Sequence, residues 1–100
     1  MKDGTLKHSY DDFLSKVIVG IGEVSEMTKV PVRKLRYWEE KGIINTVDPQ
    51  SKSRQFDLAN IKKIILIQEL MDDGYSLDGA AKKVEDRIAK IESLMNLIQM

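Results

Sequence analysis

Residues 30–44, VPVRKLRYWEEKGII, read as one short helix with basic residues on one side and an apolar seam on the other. Pro31 suits the first turn of a helix, where its missing N–H costs nothing, and Gly42 suits an exit that needs positive φ. The pattern predicts a helix over residues 31–41. At about 1.5 Å per residue it is about 16 Å long, a length that fits a major groove about 12 Å wide. Arg33, Arg36 and Tyr37 share one face, Lys34, Tyr37 and Lys41 overlap its edge, and Leu35 and Trp38 point the other way.

The ordinary reading of such a helix is a solvated charged surface, and the order of charges argues against it. Lys29, Arg33, Lys34 and Arg36 stand together with no acid between Met27 and Trp38, and acids return only at Glu39 and Glu40. Solvated helices mix signs to gain i,i+4 pairs, whereas a one-sign cluster repels itself unless a polyanion neutralises it. Nucleic acid becomes the leading partner, and the rest of the chain makes it double-stranded DNA.

The chain of 100 residues is the size of one domain, and 42% hydrophobic with 32% charged residues suits a helical globular protein. Sixteen basic and sixteen acidic residues cancel, so a case for DNA rests on local patches. There is no cysteine, which removes disulfides, thiol catalysis and thiolate metal sites together. His8 is the only histidine and lies in a polar N-terminal stretch, where a solvated side chain is the simple reading. A metal site would need carboxylates alone, and neither a metal nor a cofactor is implied. With no signal peptide and no apolar run near 18 residues, the expected place is the cytoplasm, off the membrane.

Residues 1–9 are polar and read as loose. Tyr10, Phe13, Leu14 and Val17 have helical spacing, with Asp11 and Asp12 in the favoured first turn, so a short helix or clamp is expected there, covering this domain's core or a partner subunit. Ile18, Val19 and Gly20 suit a small strand. Ile21, Val24 and Met27 at i, i+3 and i+6 predict a helix over about residues 22–28, only Lys29 and Val30 away from the basic one. Two short helices joined by so tight a turn, the second basic, have the sequence form of a helix-turn-helix.

After Gly42, residues 43–47 read as a strand, 48–51 as a turn and 54–56 as a returning strand, together a wing that carries Lys52, Ser53 and Arg54. Asp57 is an N-cap for a helix to about Asp72 with Leu58, Ile61, Ile64, Ile65, Leu66 and Leu70 as its apolar spine. Gly74 stops that helix and Ser76 caps the next, from Leu77 to Val84 and onward. Val84, Ile88, Ile91, Met95 and Ile98 are then spaced four, three, four and three, a coiled-coil stripe that Leu94 and Leu97 widen, and dimerisation is preferred over an ordinary packed helix. The expected fold is mainly α: a winged helix-turn-helix with a small β-wing, followed by a C-terminal dimerisation helix. Its expected divisions are an N-terminal extension at residues 1–17, the DNA-binding domain at 18–83 and the dimerisation helix at 84–100.

With these parts placed, the chain resembles the DNA-binding part of a MerR-family transcription regulator. The resemblance runs from Val19 to Val84: IGEVSEMT, then VRKLRYWEEKGII for the family's VRTLRYYEEKGLL, then RQF with Asp57 at the wing exit, then DDGYSL. It implies a homodimer joined through an antiparallel helix pair, holding two winged helices on a pseudo-palindromic operator. It also implies groove and phosphate contacts from Arg33, Lys34, Arg36 and Tyr37 and a backbone contact from Arg54. Lys41, Lys52 and Ser53 complete the expected DNA-binding set, and Val84, Ile88, Ile91, Leu94, Met95 and Ile98 the expected dimer interface.

Some residues depart from the family pattern. Lys29 stands where Gly is usual and Pro31 where a capping Ser or Thr is usual, so a tilted turn is expected. Ser53 replaces a common wing aromatic, and Gly79, Ala80 and Ala81 replace bulkier residues, which implies a poorly anchored fourth helix or a close backbone approach. None of the residues up to Met100 is expected to form a sensor domain. The extended N-terminus and the VGIG segment also resemble the small GlnR/TnrA-like subfamily of repressors that answer to glutamine synthetase, while a seam ending at Met100 without a cap equally fits a piece cut from a longer regulator. The resemblance therefore implies RNA polymerase or glutamine synthetase as a protein partner.

An enzyme is not expected, since no histidine pairs with a nucleophile and no Gly-rich phosphate loop is present. The rival functions are a small winged-helix architectural or recombination directionality factor, and a protein-binding adaptor that uses the C-terminal stripe alone.

Overall fold

The computed structural model describes residues 9, 10 and 12–99; His8 and Asp11, which figure in the expectations above, lie outside the described residues. The fold is mostly helical with one small antiparallel sheet, and its elements run β1 (Ile18–Gly20), α1 (Ile21–Thr28), α2 (Val32–Glu40), β2 (Gln55–Asp57), α3 (Leu58–Asp72) and α4 (Leu77–Gln99). The chain divides into two compact units, Met1–Lys62 and Lys63–Met100. Among the described residues no helix is long and apolar enough to cross a membrane.

In the first unit, α1 lies against α2 and against both strands. Val24, Val30, Leu35, Trp38, Ile44, Phe56 and Ile61 are its buried apolar residues, five of them with no exposed surface at all beyond Trp38 at 1% and Ile61 at 3%. The turn between α1 and α2 is closed by Thr28, whose hydroxyl donates to the Val24 carbonyl at 2.7 Å and accepts the Val30 N–H at 3.3 Å. Lys29 sits in the left-handed region at φ 65, where a side chain costs about 1 kcal/mol that glycine avoids. The departure noticed in the sequence is thus a strained residue in the helix-turn-helix turn.

Gly42, at φ 77, ends α2 as expected, and it does so through a Schellman motif: its N–H reaches the Glu39 carbonyl and the Ile43 N–H reaches the Trp38 carbonyl. This motif explains a correction. Residues 43–47 form no strand, because their backbone donors go to unrelated acceptors: Ile43 to α2, Asn45 to the Asn60 side chain at 2.9 Å, and Val47 to the Gln55 carbonyl at 2.9 Å. The alternation that suggested a strand is present as burial, with Ile44 and Thr46 inside and Asn45 and Val47 outside. The returning strand is β2, and its partner is β1, in the register Ile18↔Asp57, Val19↔Phe56 and Gly20↔Gln55.

Asp57 caps α3 by accepting the Asn60 N–H at 3.0 Å. The buried positions of α3 are Ile61, Ile64 and Ile67, whereas Ile65 and Leu66, assigned to its spine from the sequence, are 40% and 37% exposed. With four branched residues in succession, Ile64 to Ile67, composition could not say which of them face inward. Gly74 at φ 106 ends α3, and Ser76 caps α4 by accepting the Gly79 N–H at 3.1 Å. The expected fourth helix and the C-terminal seam are one continuous α4, anchored in the second unit by buried Ala80 and Val84 and by the ion pair of Lys63 with Glu85 at 2.8 Å. Ahead of β1, residues 12–15 form a helical turn held by Lys16 on Asp12, with Tyr10 and Phe13 exposed to solvent.

Candidate nucleic-acid interface

The interface is built on α2. Its N-cap is Pro31, with extended ψ 147 and no side-chain hydrogen bond to the first turn, so the helix N-terminus is left open to solvent on the side where Arg33 and Lys34 emerge. Leu35 and Trp38 fasten the opposite face to the core at 0% and 1% exposure. Consequently Arg33, Lys34, Arg36 and Tyr37 all stand outward on a helix that cannot rotate without exposing an indole.

No ion pair joins Arg33, Lys34 or Arg36 to a carboxylate among the described residues. Three cations within one helical turn, uncompensated and solvated, raise the local potential over that face. Tyr37 is half exposed, and the Lys41 ammonium lies 5.5 Å from its ring centroid, which places a further positive charge at the helix exit.

The wing supplies the second limb. Its turn is set by Asp48, whose carbonyl accepts the Ser51 N–H at 3.1 Å and whose carboxylate accepts the Gln50 N–H at 3.0 Å. Lys52 and Ser53 are exposed at its tip, and the Ser53 N–H donates to the Ser51 hydroxyl. Arg54 differs from them. Its Nε lies 3.2 Å from Glu39 Oε1 and its Nη1 donates to the Ser51 carbonyl at 2.8 Å, so most of its fork faces protein. The structure therefore brings Arg33, Lys34, Arg36, Tyr37 and Lys41 together on α2, sets Lys52 and Ser53 on the wing, and turns Arg54 back toward the helix.

Sequence reasoning missed Glu39 and Thr46. Glu39 was read only as the end of the basic run, and Thr46 as a strand residue. Their meeting, with the Thr46 hydroxyl donating to Glu39 Oε2 at 3.3 Å, depends on how the chain folds back after Gly42 and leaves no local signal.

In the second unit the expected dimer residues divide. Val84 is buried within its own chain and Ile88 is half buried, while Ile91, Leu94, Met95 and Ile98 are exposed at 51, 59, 48 and 77%. Leu97 adds to the same exposed surface.

Comparison with known proteins agrees with this architecture. A family model described as MerR HTH family regulatory protein matches residues 20–87. The HTH-type transcriptional regulator TnrA of Bacillus subtilis (strain 168) is 32% identical over 92 residues, covering 92% of this chain and 78% of TnrA. The HTH-type transcriptional regulator GlnR of Bacillus anthracis is 28% identical over 69 residues, 69% of this chain, and the match spans only 54% of GlnR. The crystal structure of a MerR-family transcriptional regulator from Bacillus cereus superimposes with a TM-score of 0.62 over 83% of this chain and 76% of that one, at 18% identity, a likeness of fold. These relatives are transcription regulators and not enzymes. The chain belongs to the MerR HTH family of regulatory proteins.

Proposed function

We propose that the protein binds a pseudo-palindromic operator as a homodimer and regulates transcription by reading that sequence. The observation that carries the reading is the α2 face: Arg33, Lys34 and Arg36 are exposed, uncompensated and fixed outward by the buried Leu35 and Trp38. Arg33, in the first turn, has a planar fork that matches the acceptor pair of a guanine edge, and Arg36, Lys34, Tyr37 and Lys41 hold phosphates beside it. Lys52 and Ser53 meet the backbone from the wing, and Arg54 supports that wing.

Dimerisation is supported by the exposed stripe of Ile91, Leu94, Met95 and Ile98, a contiguous apolar surface of the kind that marks association. Two α2 helices related by a two-fold axis then meet half-sites a whole number of helical turns apart, about 34 Å per turn. Selection of bound sequences from random duplex DNA tests the reading: an enriched motif with inverted half-sites is expected, and the absence of any enrichment overturns it. An adaptor acting through α4 alone is the second reading, favoured by the same exposed stripe. Replacing Arg33 and Arg36 together separates the two, because an adaptor keeps its protein partner and a regulator loses its DNA. Glutamine synthetase and RNA polymerase are the protein partners to be tried in co-sedimentation with the intact chain.

A further inference from the structure

Glu39 follows the basic run of α2, and its side chain is turned from solvent, at 18% exposure. Its two oxygens hold opposite limbs of the wing: Oε2 accepts the Thr46 hydroxyl on the outgoing limb at 3.3 Å, and Oε1 holds Arg54 Nε on the returning limb at 3.2 Å. Arg54 extends the chain of contacts to the Ser51 carbonyl near the tip, and its own carbonyl accepts the Ile21 N–H at 2.9 Å at the start of α1. Thr46 is the buried polar residue among those described, at 8% exposure, so its hydroxyl needs this carboxylate.

We propose that Glu39 is a positioning residue that fastens the wing to the DNA-reading helix, and that Arg54 acts on DNA through Glu39 and Ser51 and not as a phosphate ligand. The proposal rests on the DNA-binding reading above and deepens it. An exposed ion pair would carry little, but a partly buried fork held at two points is geometrically fixed. The base of the wing is held by the β1–β2 pairing, by the Ile21 N–H on the Arg54 carbonyl and by the Asn45 N–H on Asn60, and above that base the ties are fewer. Its neck has the single backbone bond from Val47 to Gln55, and its tip is a four-residue turn. The distance between Lys52 on the tip and Arg33 on α2, which decides whether both reach one duplex, is therefore set by the Glu39 contacts.

The two roles for Arg54 predict opposite signs. If Arg54 were a phosphate ligand, Glu39 would compete with DNA for it, and Glu39→Gln would tighten binding. If Glu39 positions the wing, Glu39→Gln loosens it. The first arm of the test needs no DNA: tryptic cleavage after Lys52 should accelerate about tenfold in Glu39→Gln, with helix content retained, as expected for a local opening released from a fixed ion pair. An unchanged rate overturns the proposal.

The second arm measures binding to a mixed-sequence duplex across salt concentrations. Glu39→Gln should weaken binding about fivefold, and Lys52→Ala should then cost nothing further in that background, because contacting and dependent residues are non-additive. Arg54→Lys keeps a charge that suits phosphate but loses the fork, so it should bind as weakly as Arg54→Gln, and both should lower the magnitude of the salt slope by the amount that Lys52→Ala does, because the loosened wing no longer holds Lys52 on its phosphate. Tighter binding by Glu39→Gln, or full function in Arg54→Lys, overturns the proposal. If the wild type binds no duplex while cleavage still accelerates, the wing contact stands and the DNA reading falls.

Discussion

Helices α2 and α4 carry the same kind of amphipathic spacing and meet opposite fates. In α2 the apolar residues Leu35 and Trp38 are covered completely by their own chain, and the polar face is what remains exposed. In α4 the stripe begins buried at Val84, is half covered at Ile88 and is open from Ile91 to Ile98. The difference teaches that a periodic apolar seam specifies that something must cover it, and says nothing about whether the cover is intramolecular. One helix leaves charge exposed and the other leaves hydrocarbon.

The largest expected effect lies on the covered side. Trp38→Ala should destabilise the first unit by about 3–5 kcal/mol in urea unfolding, as a large buried side chain leaves a cavity, whereas Leu94→Ala on α4 should change unfolding of the monomer by less than about 0.5 kcal/mol. Equal losses would abolish the contrast. Ile91→Asp comes next. It should weaken self-association on the order of a hundredfold, converting a dimer at micromolar concentration into a monomer in sedimentation, because it forces a carboxylate against hydrocarbon. Wild-type protein that is already monomeric there removes the dimer from the reading.

The α2 face gives the third. Arg33→Ala should cost about 1–3 kcal/mol on the selected site and relax base preference at one position, while Arg36→Ala should weaken selected and random DNA alike. A binding-site selection with the Arg33 variant that returns the same motif at the same stringency would move the reading of bases elsewhere, into the wing or into DNA deformability. Salt sharpens the same point: a dimer that neutralises four to five phosphates per protomer should show a slope of log K against log salt of about −7 to −9, and Lys52→Ala, which removes one contact from each protomer, should reduce its magnitude by roughly two. The smallest effect is at the turn. Lys29→Gly should raise stability by about 0.5–1 kcal/mol, since glycine adopts φ 65 without the steric penalty that lysine bears.

Much of the fold was legible in local chemistry. The exits at Gly42 and Gly74 and the caps at Asp57 and Ser76 each depend on a residue and its immediate neighbours, and the structure places them as the sequence predicts, while α1 begins one residue earlier than expected and α2 runs Val32–Glu40, with Pro31 as its N-cap and not in its first turn. The outward set Arg33, Lys34, Arg36 and Tyr37 was legible for the same reason, because helical periodicity decides which side chains oppose Leu35 and Trp38. Gly79 falls between the two cases. A side chain there would come within 3.1 Å of the Ser76 hydroxyl that caps α4, so the close approach suspected from the small residues is to the helix's own cap.

By itself, then, the amino-acid sequence determined the helices, their caps and the exposed charged face of α2, since those follow from interactions within a few residues. Tertiary structure alone decided that β2 pairs with β1 and not with residues 43–47, that Ile67 and not Ile65 or Leu66 is buried, and that Arg54 turns onto Glu39. Each of these is a choice of partner between segments distant in the chain. Such a choice is made by which backbone donors and buried surfaces are still unsatisfied once the local elements have formed.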